Sequence, residues 1–300
     1  MTANALDPGV WGVLATPFQG SAFDLCEASL AREVEHFTAA GVTGLVALGV
    51  FGEAATLDQA EQAEVAEIVS EETSVPLVFG VPGLATRVVI EQATKVIEAG
   101  SRRPVAIMVQ VNTPNPVALG KHLAAVHEAT GTPLVVQDYP AVSGVRIAAE
   151  TLAAVVRDAG DAVAAVKAEE PPVPPAVATL VANTGVPVFG GLGGVSLLDE
   201  LACGSAGVMT GFSYPEALVA TVNAYRDGGT PAARAVFARW LPLVNFEAQR
   251  GIALAVRKEC LRTRGLFIES AVRPPAPGFP GALHDLLVAH LAHADTLLED

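Results

Sequence analysis

A closed (β/α)8 barrel with a C-terminal helical extension, an α/β fold of the TIM type, is the fold class this chain predicts, and three observations predict it. Eight short apolar runs alternate with eight amphipathic stretches along residues 11–226. The runs are apolar at nearly every position rather than at alternate ones, which is the signature of parallel strands buried on both faces. Beyond residue 229 the patterns are helical and bring no further strand. Eight units is the number that closes a barrel, and a doubly wound open sheet is the competing arrangement.

The elements follow in order. Residues 11–18 read as the first strand and 24–40 as its helix, which stops at Gly41. The second unit pairs a run at 44–50 with a carboxylate-rich helix at 57–72, the third 75–81 with 87–99, and the fourth 105–111 with 117–129. The fifth pairs 134–139 with 149–159, and the sixth 163–168 with 175–184. The seventh joins 186–191 to 196–203, and the eighth 206–212 to 215–226. Most helices end near a glycine, as the left-handed C-terminal position favours. Residues 1–228 are thus expected to form the barrel, and residues 229–300 an extension packed on it, with helices at 232–246, 252–264 and 282–298. Pro274-Pro-Ala-Pro277 separates the last two.

Composition narrows the function classes. The chain has 18 basic and 32 acidic residues, a net charge of -14, and neither a basic cluster nor a basic stripe, which argues against nucleic acid or an anionic membrane surface as partner. The segment Met1-Thr-Ala-Asn-Ala-Leu-Asp7 has no basic stretch leading into an apolar one, and no apolar run approaches the roughly 18 residues of a membrane span. A cytoplasmic protein is expected. Cys26, Cys203 and Cys260 are widely spaced and lack histidines at metal-ligand spacing, so they read as buried free thiols. All six histidines fall in helical patterns, which leaves no His and carboxylate cluster on the strand ends for a metal. No metal and no cofactor is expected.

The active site of such a barrel lies at the C-terminal ends of its strands. Of the four lysines, at 95, 121, 167 and 258, only Lys167 ends a buried strand run. Lys95 and Lys121 sit in helical patterns with room for an ammonium group in water. A buried amine is costly unless paired or used, and an uncharged amine attacks a carbonyl to form a Schiff base. The other reading of Lys167 is a side chain snorkelling to solvent. Around it, the strand ends supply the turn Gly49-Val-Phe-Gly-Glu53, Gln137-Asp-Tyr139 after strand five, Glu169 after strand six, Gly191 after strand seven and Thr210 at the end of strand eight. The turn's backbone amides can face an anion such as a carboxylate. Glu53, at a helix entrance, also complements that helix's dipole. Tyr139 is the one tyrosine at a strand end, where a phenol beside an amine can shuttle protons or simply pack under a loop.

With these residues in view, the chain resembles the dihydrodipicolinate synthase and N-acetylneuraminate lyase family over essentially its full length. The matching landmarks are Gly12-Val-Leu-Ala-Thr-Pro-Phe18, the Gly-x-x-Gly-Glu turn at 49–53 followed by Thr56-Leu57, Pro140 with Ser143-Gly144, and Lys167. The resemblance implies that Lys167 is the Schiff-base lysine of a class I lyase acting on a 2-oxo acid, with Gly49, Val50, Phe51, Gly52 and Glu53 receiving its carboxylate. It further implies a homodimer or homotetramer. Departures are equally specific. Val50 and Phe51 stand where members of the family usually carry threonines, and Gln137 replaces the tyrosine before the fifth-strand proline. Val142 stands in place of the arginine that receives the aldehyde's carboxylate in the synthases, and Val111 in place of the proton-relaying tyrosine. Dihydrodipicolinate synthesis is therefore not the expected reaction. Val50-Phe51 and Gln137-Asp138 resemble the branch that dehydrates 2-keto-3-deoxy sugar acids, in which Gln137 would orient a hydroxyl or a water and Tyr139 or Glu169 would carry protons. The missing tyrosines also leave open a barrel that binds a 2-oxo acid or sugar acid without turning it over.

Overall fold

The computed structural model describes residues 4–299. The first three residues of the N-terminal segment read above, and Asp300, lie outside them.

Eight parallel strands close into a barrel in which each strand pairs with its sequence neighbours and the first, Gly9–Val13, meets the eighth, Gly207–Thr210. The others are Gly44–Ala47, Leu77–Gly80, Ala106–Gln110, Leu134–Asp138, Val163–Ala168 and Val188–Gly190. Strand alternation divides their side chains between two cores. Trp11, Val46, Val78, Met108, Val135, Phe189 and Met209 fill the barrel. Leu45, Phe79, Ile107, Val109, Val136 and Val166 pack outward under the helices. Closure at the seam of the first and eighth strands depends on Gly207, because a Cβ there would lie 1.9 Å from the Gly9 carbonyl oxygen.

Three elements differ from the sequence reading. The first strand stops at Val13, and Phe18–Gln19 then pairs with Asp24–Leu25 in a small antiparallel hairpin. Asp24 is therefore not helical, and the first helix runs Glu27–Ala39. Pro17 breaks the strand pattern ahead of Phe18, and the hairpin uses the two apolar residues that had extended both patterns. A short helix, Pro140–Ser143, follows the fifth strand. The eighth helix and the first extension helix form one run, Pro215–Glu247, with non-helical angles at Gly228 and Gly229 between them.

The remaining helices of the extension are Ala253–Thr263 and His284–Glu299. They pack against the long run, and the first of them sends buried side chains to the catalytic end of the barrel. Among the described residues no helix is long and apolar enough to cross a membrane. Cys26 and Cys260 are buried and Cys203 is half-buried, all as free thiols.

Candidate active site

At the carboxyl ends of the strands, register places Gln110, Gln137, Lys167 and Phe189 side by side on four successive strands. Lys167 is 5% exposed, and its Nζ lies 3.3 Å from Oε2 of Glu169, itself 5% exposed. That carboxylate oxygen also accepts from Gln137 Nε2 at 2.5 Å, while Gln137 Oε1 accepts from Gln110 Nε2 at 2.9 Å. The other oxygen of Glu169 accepts from the Leu192 amide at 3.2 Å. The carboxylate fits because residue 191 is glycine: a Cβ there would approach it to 2.2 Å. Thr210 Oγ1 accepts from the Gly193 amide at 2.8 Å and so ties the seventh strand end to the eighth.

Lys167, Gln137, Glu169, Gly191 and Thr210 are therefore brought together. Gln110 belongs with them and was missed. It ends an apolar run, where only its polarity at an inward position marks it. The outward position beside it is Val111, buried in the cluster under the helices, so the polar group that this strand end offers is Gln110.

Asp138 and Tyr139 occupy the edge of this group. Alternation sends Asp138 to the other face from Gln137. Burial and then the nearby Glu169 raise its pKa to about 6, opposed by Arg146. Tyr139 is half-buried, and burial followed by Glu169 raises its phenol pKa, against the pull of Arg257 and Arg250.

The 49–53 turn splits its residues among different tasks. Leu48 and Glu53 both hold positive φ, 59° and 54°, and Thr16 Oγ1 donates to the Gly52 carbonyl at 2.6 Å. The amides of Val50, Phe51 and Gly52 are not spent on a backbone acceptor among the described residues. Val50 and Gly49 face a cavity of about 810 Å³ whose walls also include Gln110, Gln137, Val142 and Pro275. Lys167 is the strand neighbour of Gln137 on that wall and does not itself line it. Phe51 packs across Gly211 on the barrel interior, under the guanidinium of Arg257, 5.3 Å from the ring centroid.

Glu53 does more than complement a helix dipole. Its buried carboxylate accepts from Lys258 Nζ and from the Arg273 amide at 3.0 Å. Lys258 is fully buried, donates also to the Ala271 carbonyl at 2.8 Å, and lies 4.3 Å from the centroid of Phe18. Burial lowers its pKa, against the opposing pull of Glu53. Its position within an ordinary helical pattern gave no sign of this. Lys258 and Arg273 are anchors that only the tertiary fold brings to the turn.

A barrel with a buried amine at its sixth strand end, a paired carboxylate and an adjoining cavity has the equipment of carbonyl chemistry through an imine. A match to the dihydrodipicolinate synthetase family spans residues 8–282, and the chain belongs to that family. It is a lyase of the class I, Schiff-base type. The chain is 30% identical over 246 residues to a 4-hydroxy-tetrahydrodipicolinate synthase of Methanothrix thermoacetophila, covering 79% of this chain and 80% of the relative. It is 29% identical over 283 residues to an L-2-keto-3-deoxyarabonate dehydratase of Azospirillum brasilense, covering 90% and 88%. Among solved structures, a dihydrodipicolinate synthase from Rhodopseudomonas palustris superposes with a TM-score of 0.87 at 26% identity, covering 98% of this chain and 99% of that one.

Proposed function

We propose that this protein removes water from a 2-keto-3-deoxy sugar acid in the cytoplasm, with Lys167 as the nucleophile. The observation that carries this reading is the buried Lys167, Glu169 and Gln137 group beside an 810 Å³ cavity. The Nζ of Lys167 adds to the C2 carbonyl, and loss of water gives an iminium ion that acidifies the C3 protons. Removal of one of them gives an enamine, which expels the C4 hydroxyl as water. Hydrolysis of the resulting imine returns the free lysine, so the net change is one water lost. Glu169, 3.3 Å from the amine, carries the protons of imine formation, together with Tyr139, whose phenol feels the Glu169 charge. Gln137, held between Gln110 and Glu169, orients the departing hydroxyl or a water.

The choice of dehydration over aldehyde condensation rests on the cavity wall. Val142 offers no charge for an aldehyde's carboxylate, whereas the two glutamine amides suit hydroxyl groups. The sugar-acid dehydratase among the relatives agrees with this choice. A barrel that only binds the acid is not favoured, because the family is one of lyases. The unspent amides of the turn suit the C1 carboxylate. Residues 1–228 are the catalytic barrel in this reading, residues 229–300 its extension, and the working form is a homo-oligomer.

The test is incubation with a panel of 2-keto-3-deoxy pentonates and hexonates, with mass spectrometry of the products. A product one water lighter than its substrate is the expected result. Release of pyruvate and an aldehyde instead would establish cleavage, and absence of turnover across the panel would refute the proposal.

A further inference from the structure

We propose that Arg257 is the specificity-determining cation of this site: it receives the substrate carboxylate, in place of the hydroxyls that the 49–53 turn lacks. The inference rests on the reading of the site as a 2-oxo acid lyase.

Arg257 lies on the extension helix Ala253–Thr263, and its side chain is only 10% exposed. Its guanidinium is wedged between two parts of the strand-end apparatus. On one side is the Phe51 ring of the turn, 5.3 Å away at its centroid. On the other is Gly193, where a Cβ would come within 2.1 Å of an Arg257 terminal nitrogen. The Gly193 amide is the group bonded to Thr210, and the adjacent Leu192 amide holds Glu169. The guanidinium is thus one residue from the peptide group that secures the partner of Lys167.

An arginine this enclosed needs anions. Glu247 supplies one incompletely: its Oε2 lies 3.6 Å from Nε, too far for a hydrogen bond, and Nε remains buried without an acceptor. Glu247 is instead bonded by the Ser213 amide and hydroxyl. The two terminal nitrogens of Arg257 donate to nothing among the described residues, which leaves a planar fork of donors free. The other candidates are excluded by their own partners or place. Arg273, on the cavity wall, spends its fork on both oxygens of Glu61 and on the carbonyls of Thr56 and Phe23. Arg250 is exposed at the rim.

The side chains of the turn explain why a cation is needed here. Val50 and Phe51 bring no donor, so a carboxylate would meet backbone amides alone. Stacking on Phe51 holds the guanidinium over that same turn, and a delocalised cation is the kind that an aromatic face supports.

The test compares an acid with its uncharged analogue. Borohydride trapping at Lys167 is titrated with pyruvate and with pyruvamide, in the native sequence, Arg257→Met, Arg257→Lys and Arg250→Ala, each checked for folding by thermal unfolding. The native protein is expected to trap pyruvate at concentrations about 10- to 100-fold lower than pyruvamide, the range of a charge-assisted pair. Arg257→Met should erase that preference by weakening pyruvate alone. Arg257→Lys, which keeps the charge but not the fork, should retain an intermediate preference and serves as the test if the methionine variant does not fold. An unchanged preference in a folded Arg257 variant, or its loss in Arg250→Ala instead, would overturn the inference while leaving the lyase reading intact. Absence of any adduct in the native protein would overturn both.

Discussion

Lys167 and its neighbours make a small buried polar group, an ion pair to Glu169 joined to the hydrogen bonds of Gln137 and Gln110. Glu169 is shared between the amine, Gln137 and the Leu192 amide, so in the proposed reaction the carboxylate that would move protons is also the one that holds its neighbours in place. Lys167→Ala is expected to abolish imine formation and lower kcat on the order of 10³-fold or more, as loss of a nucleophile does. Gln137→Leu keeps the volume but removes the donor to Glu169 and the acceptor for Gln110. It should cost roughly 1–3 kcal/mol in urea unfolding, because buried polar partners are left unpaired. It should lower turnover more than it raises KM, which steady-state kinetics will separate. Lys167 was legible in the sequence because a lysine is conspicuous at the end of an apolar run. Gln110 was not, since a single uncharged polar residue at a strand end carries no signal until its inward position is known.

At the scale of the element, the seventh strand end is built around missing side chains. Gly190 leaves room for Glu200, whose Oε2 would be 1.7 Å from a Cβ there. Glu200 lies on the short helix Leu197–Ala202, is 1% exposed, and neither of its carboxyl oxygens finds a partner. Burial, then Glu169 and Asp199, raises its pKa to about 8. The folded state therefore holds a proton that the unfolded chain releases near 4.5, and stability falls as pH rises between those values. Glu200→Gln should match the native Tm near pH 5 and exceed it near pH 8, a difference that a thermal melt at each pH measures. Equal shifts at both values would contradict a protonated Glu200. Gly190→Ala should destabilise by about 1–3 kcal/mol through overpacking, and Glu200→Ala in the same chain should recover much of that loss. Eight apolar runs were readable because both faces of each strand are buried. The hairpin at Phe18–Leu25 was not, because two-residue strands leave no periodicity to read.

Across the whole molecule, the extension grips the 49–53 turn. Lys258 and the Arg273 amide hold Glu53, while the Arg273 side chain holds Glu61 on the helix that follows the turn. Lys258→Met strands a buried carboxylate and is expected to cost about 3–5 kcal/mol in urea unfolding, with Glu53→Gln in the same chain recovering a large part. The helical pattern of the extension was legible, yet its role was not. Lys258 and Arg257 are consecutive in an unremarkable helix, and only the folding of residues 253–273 over the barrel mouth brings them to Glu53 and Phe51. The family resemblance singled out Lys167 and the 49–53 turn as candidates but could not supply these partners, which are set by tertiary contact. Everything proposed for the site depends on one bond, between Lys167 Nζ and the carbonyl carbon of a 2-oxo acid. Borohydride reduction of the protein with pyruvate or a 2-keto-3-deoxy sugar acid, followed by intact mass and peptide mapping, tests that bond directly. A single adduct on the peptide carrying Lys167, absent from Lys167→Ala, is the predicted result. An unmodified protein across a panel of 2-oxo acids, or an adduct on another lysine, would contradict it.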